Sequence, residues 1–113
     1  MAMSAGKLDR RAQFRRAVLV DDGYSTVEQW QDHGQPVYAA RRDISDAEKF
    51  ASGTVLSVLT SRFTVRHSPF TADLTPRDRL TCDGAEWAIT GIKEVPEPRR
   101  CWLEITATRL ADA

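Results

Sequence analysis

Between Leu8 and Val20 the chain alternates. Leu8, Ala12, Phe14, Val18 and Val20 fall on one parity, and Arg11, Gln13 and Arg15 on the other. A period of two places side chains on opposite faces of a half-buried strand. Arg10 and Arg16 share the apolar parity, which sets them near strand ends or opposite an acid. The segment DDGYS then supplies a turn, and TVEQW and PVYAA read as short strands separated by the polar QDHGQP. Pro36 has no backbone donor and belongs at a strand start or on a sheet edge.

The second half continues in the same style. In VLSVLTSRFTVRH, residues 55–67, Leu59, Phe63 and Val65 share one parity, while Leu56 and Val58 occupy the other. The start of that strand is apolar on both faces, so another layer or another chain is expected to cover it. SPFTADLTPRD is a turn-rich connection. Asp83-Gly84 suits a tight hairpin turn between Leu80/Cys82 and Trp87/Ile89, and the parity change around Gly91 predicts a bulge. After PEPRR a last strand carries Cys101, Leu103 and Ile105 inward and Trp102, Glu104 and Thr106 outward. The expected fold is all-β: a small antiparallel β-barrel or sandwich of six to seven strands in one domain, 1–113, with loose ends at 1–6 and 111–113.

One stretch breaks the pattern. In RRDISDAEKFASG, Ser45 and Glu48 have the spacing of a capping box, and Gly53 stands where a helix C-terminal cap belongs. The sequence predicts a short helix in a long loop at about 45–52. Two turns of helix are marginal alone in water, so the segment needs support. Two supports stand open: Ile44, Ala47 and Phe50 pack on the sheet, or a neighbouring subunit orders the segment as an arm.

Charge and chemistry narrow the function. Acidic and basic residues number sixteen each, so no overall field draws the chain to nucleic acid or a membrane surface. The first twenty residues are nevertheless basic by four, and Asp21, Asp22, Asp43, Asp46 and Glu48 supply acidic counterparts later. No apolar run is long enough to span a bilayer, and MAMSAGKLDRR lacks the apolar core of a signal peptide. Cys82 and Cys101 are expected as small buried hydrophobes rather than a disulfide. His33 and His67 are the only imidazole bases, and no serine or cysteine sits in a nucleophile elbow. Neither cysteine has metal-ligand spacing and no glycine-rich loop precedes a helix, so no catalytic residue, metal or cofactor is expected. A small sheet with Trp30, Tyr38, Phe63, Trp87 and Trp102 leaves single-stranded nucleic-acid binding as an alternative, since exposed aromatics flanked by arginine stack on bases.

The order of pieces is more specific than any one of them. AGKLDRRAQFRR, a DDG turn, VYAARRDISDAEKFASG, SRFTVRHSPF, DRLTCDGAEWAITGIKEV and RRCWLEITAT together resemble, from about residue 5 to 109, the head-tail joining (head closure) proteins of tailed bacteriophages, prophages and gene-transfer particles. His67 departs from the tyrosine expected there, and Trp87 from the tyrosine or phenylalanine common after the Asp-Gly turn. The resemblance implies a virion connector, assembled in the bacterial cytoplasm, that is monomeric or weakly associated alone and forms a ring of twelve copies in the particle. Its partners would be the portal or adaptor protein, the tail terminator or tail-tube protein, and packaged DNA in the channel, with no membrane. Arg41, Arg42, Asp43, Asp46, Glu48, Lys49 and Phe50 are then the candidate assembly or channel loop. Arg11 and Arg15 are candidate charges for contact between subunits.

Overall fold

The computed structural model describes residues 8–51, 54–96 and 101–110, with backbone alone for 45–51, 54–57 and 110. Seven strands and one short helix follow in the order β1 (Arg10–Asp21), β2 (Thr26–Asp32), β3 (Val37–Ala51), β4 (Thr54–Arg66), α1 (Pro69–Ala72), β5 (Arg79–Cys82), β6 (Ala85–Glu94) and β7 (Trp102–Leu110). Every pairing is antiparallel, in the order β2-β1-β3-β4-β7-β6-β5. One edge of β1 serves β2 through Arg15–Asp21 and β3 through Arg10–Ala12, while Gln13–Arg15 pair with β5. That last pairing closes the sheet on itself, so the inward parity is sealed on all sides.

The alternation read from the sequence selects what lies inside. Ala12, Phe14, Ala39, Phe63, Val65, Leu80, Cys82, Trp87, Ile89, Leu103, Ile105 and Ala107 form one cluster joined by Leu74 from the connection after α1. The register lines them up across strands: Phe14 faces Leu80, which faces Trp87, and Val65 faces Leu103. Non-directional burial of these rows drives folding, and the hydrogen-bonded ladder fixes which residues meet.

Two predicted irregularities appear where expected. Asp83 and Gly84 adopt φ of 55° and 78°, the left-handed pair that a two-residue hairpin needs to match strand twist. The β6 register shifts between Ile89 and Gly91, which re-aims Ile92 toward Ile105 and the core.

Two expectations are corrected. Residues 46–51 are strand, not helix: Asp46 pairs with Leu59 and the ladder runs to Ala51 with Thr54. Ser52 and Gly53 lie outside the described residues. A two-turn helix gains little by itself, whereas pairing with the β-branched and apolar start of β4 gives each residue a cross-strand partner. Ile44 and Ser45 fall instead at a register shift between Asp43 and Asp46. The helix that does form is α1, in the stretch read as a turn. Ser68 caps it, its hydroxyl accepting from the Thr71 amide while the Thr71 hydroxyl accepts from the Ser68 amide, with Pro69 in the first turn. Threonine at the third position does the work of the glutamate usually sought there. The second correction is Cys101, which is exposed just before β7, unlike the buried Cys82. Burial pushes the Cys82 thiol up to about 11.

Candidate assembly surfaces

Two hairpins run past the closed sheet. In the first, β1 from Arg16 onward pairs only with β2, and Leu19, Tyr24 and Val27 are exposed around its tip. Its turn is held by Asp22, whose carboxylate accepts the Tyr24 and Ser25 amides at 2.9 and 2.8 Å. These bonds lower the Asp22 pKa, the Ser25 amide most. In the second hairpin, β4 pairs with β7 only from Val58 onward, so residues 48–51 and 54–57 form a two-stranded ribbon beyond it, rooted where Asp46 and Ala47 pair with Leu59 and Val58. The strand apolar on both faces is the root of this ribbon: Val58 is buried and Leu59 packs on the core.

The candidate loop residues divide. Arg41 lies on the inward parity beside the core, where its guanidinium donates to Asp43 at 2.9 Å and Asp83 at 2.8 Å and stacks over Trp87 at 5.0 Å. Burial opposes its charge, but Asp83 and Asp43 outweigh that and raise its pKa. Asp43 also accepts from the Ser61 hydroxyl, its pKa lowered by Ser61 first and then Arg41. Arg10 donates to Asp83 at 3.1 Å, so Asp83 joins β1, β3 and the β5–β6 turn. Arg42 is exposed on the outer face, opposite Arg62 of β4. Asp46 at the root of the ribbon and Glu48, Lys49 and Phe50 within it are described by backbone alone. The pattern did not separate Arg41 from Arg42, because adjacent arginines differ only in parity. Arg41→Ala is expected to cost about 1–2 kcal/mol, by removing charge-assisted bonds that are only partly shielded from water. Arg42→Ala should leave the melting temperature within a degree or two. Equal melting temperatures for the two variants in calorimetry would contradict the assignment.

Arg11 and Arg15 are both committed within the chain. Arg11 donates to the Tyr38 hydroxyl at 3.1 Å and lies over its ring, and Arg15 pairs with Asp32 and donates to the Trp30 carbonyl. A cluster the sequence did not announce joins the first hairpin to α1. Arg16 binds both Asp78 oxygens at 2.9 Å, and also the Asp73 carboxylate at 2.8 Å. Nearby, His33 stacks on Phe70 with centroids 5.1 Å apart. The signal available was the Asp parity partner expected for Arg16, but not which of the chain's acids supplies it. Among the described residues no three His, Cys, Asp or Glu side chains form a metal-binding group.

These surfaces belong to a known architecture. The profile of the phage head completion proteins matches residues 3–110. The chain belongs to the phage head completion protein family. Membership makes it a structural head-tail component of a virion. The fold is also similar to a chain in the solved virion of a native gene transfer agent particle, with a TM-score of 0.73 and 23% identity, over 93% of this chain and 96% of that one. No curated protein matches the sequence.

Proposed function

We propose that this head completion protein is a connector that forms a ring of twelve copies between the portal or its adaptor and the tail terminator or tail tube. In this reading the ribbon of 48–51 and 54–57 projects into the lumen and bears on packaged DNA, and the particle is put together in the bacterial cytoplasm. The observation that carries it is the family match over nearly the whole chain, on a closed sheet whose two hairpins extend past it. A ribbon two strands wide buries little of its own surface, and a neighbouring copy or partner would cover the apolar start of β4. The role needs no catalytic group, and none is assigned.

Single-strand nucleic-acid binding is less well supported. Trp87 and Phe63 are core residues, Trp102 lies under Arg66 and Trp30 under Arg79 at 4.1 Å, so stacking platforms are already occupied.

Deletion of the gene from a particle-producing genome, followed by electron microscopy of the lysate, tests the connector. Separate tails beside tailless heads are the expected result, restored by the wild-type gene in trans. Filled rather than empty heads would assign channel closure to another protein. Normal tailed particles would end the connector reading.

A further inference from the structure

The outer face of β3, β4, β7 and the end of β6 carries an unbalanced charge. Among the residues whose side chains are described, Arg42, Arg62, Arg66 and Lys93 lie there on the outward parity with Glu104 as the carboxylate among them. Glu104 is already shared, 3.5 Å from Arg62 and 3.3 Å from Lys93. Arg42 and Arg62 stand directly opposite on paired strands, an arrangement that repels within one chain. Such a pair is relieved by an anion brought from outside.

The first hairpin is its counterpart. From Leu19 to Glu28 it carries Asp21, Asp22 and Glu28 and no cation, with Leu19 76%, Tyr24 98% and Val27 42% exposed. Leu19 faces Glu28 across the strands and Asp21 follows on the same side, so apolar and acidic groups share one surface. Among the described residues, the excess of three positive charges on the face matches three negative charges on the hairpin.

Topology places the two on opposite sides. In the closed order β1-β3-β4-β7-β6-β5, strand β7 stands three places from β1 in either direction. The acidic hairpin grows from β1, and the basic face is centred on β4 and β7. A contact between unlike surfaces on opposite sides of one molecule repeats head to tail, and closes into a ring when the rotation allows.

We infer that the β1–β2 hairpin of one copy docks on the β3–β4–β7–β6 outer face of the next copy. Tyr24 and Leu19 supply the apolar centre, and Asp21 and Glu28 meet Arg42 and Arg66. The inference rests on the ring-connector reading and names the surfaces that build that ring.

Paired charge reversals in the full-length chain test it. Asp21→Lys with Glu28→Lys makes both surfaces positive and leaves the Asp22 turn bonds in place. Arg42→Glu with Arg66→Glu makes both negative. Sedimentation at low ionic strength should show salt-weakened self-association of the wild type, reduced by roughly tenfold or more in each variant. An equimolar mixture of the two variants should associate again, because every contact in an alternating chain then joins opposite charges. Melting temperatures close to wild type would certify both folds. A wild type that stays monomeric at millimolar concentration and low salt, variants that associate as well as wild type, or a mixture that stays dissociated overturns the contact. Loss of duplex-DNA binding in the face variant without change in self-association would make the face a DNA surface instead. Particle joining by both single variants, in a strain where deletion abolishes it, would remove this contact while leaving the connector role standing.

Discussion

Trp87→Ala should lower the unfolding free energy by about 3–5 kcal/mol, the range for emptying a large aromatic site in a core that relaxes only partly. Trp87 is 1% exposed, and its ring meets Phe63 edge-on at 5.5 Å. Arg41 and Arg109 lie over it at 5.0 and 5.1 Å, so its loss also removes the surface on which two guanidiniums rest. A domain of this length has roughly 5–15 kcal/mol in total, and the substitution takes a large share. Trp87→Phe is the informative companion. The indole N–H is buried without a hydrogen-bond partner, so phenylalanine leaves no group newly unpaired. Its expected cost is about 1–2 kcal/mol, from lost volume alone. Urea unfolding of the three proteins, compared at equal m, measures both. A phenylalanine variant as unstable as the alanine variant would mean that the indole N–H has a partner after all.

Asp78→Ala should cost about 3 kcal/mol, because it removes two of the charge-assisted bonds of Arg16, leaving it only Asp73, and deprives the Thr75 amide of its acceptor. Asp78 is 3% exposed and takes both Arg16 nitrogens at 2.9 Å and the Thr75 amide at 2.9 Å. For a domain this size the melting temperature should fall by roughly 12 °C or more. Asp73→Ala, at the exposed end of the same guanidinium, should cost no more than about 1 kcal/mol. Acid gives a second readout. Burial tends to raise the Asp78 pKa, but Arg16 and the Thr75 amide overcome it and hold the carboxyl below the usual range. A carboxyl depressed in the folded state stabilises above its unfolded pKa, about 3.9, and loses that contribution as pH falls through the lower folded value. Wild-type stability should therefore decline more steeply below about pH 4 than that of Asp78→Ala. Parallel acid profiles would show that Asp78 does not carry the effect.

The strands, their inward rows, the Asp83-Gly84 turn and the Gly91 bulge were legible because each rests on neighbours in sequence. Parity identifies the buried face of a strand whatever it pairs with, and a left-handed turn needs Asp-Gly locally. The 45–52 helix failed for the opposite reason. The Ser45 and Glu48 spacing is a local signal, but residues 46–51 are decided by pairing with 54–59, a partner the capping pattern does not contain. Likewise α1 was missed because its cap uses Thr71 in place of a glutamate.

The family resemblance was written in the order of the segments along the chain, and so was the all-β character. What only the tertiary structure decided is which charges are already used. Arg41 and Arg42 are adjacent in sequence, yet one is bound to Asp43 and Asp83 and the other faces Arg62 in solvent. Closure of the sheet through β1 and β5 sets the acidic hairpin and the basic face on opposite sides. Electrostatic energy depends on distance through space, and only the folded register decides which of the sixteen charges of each sign meet a partner within the molecule.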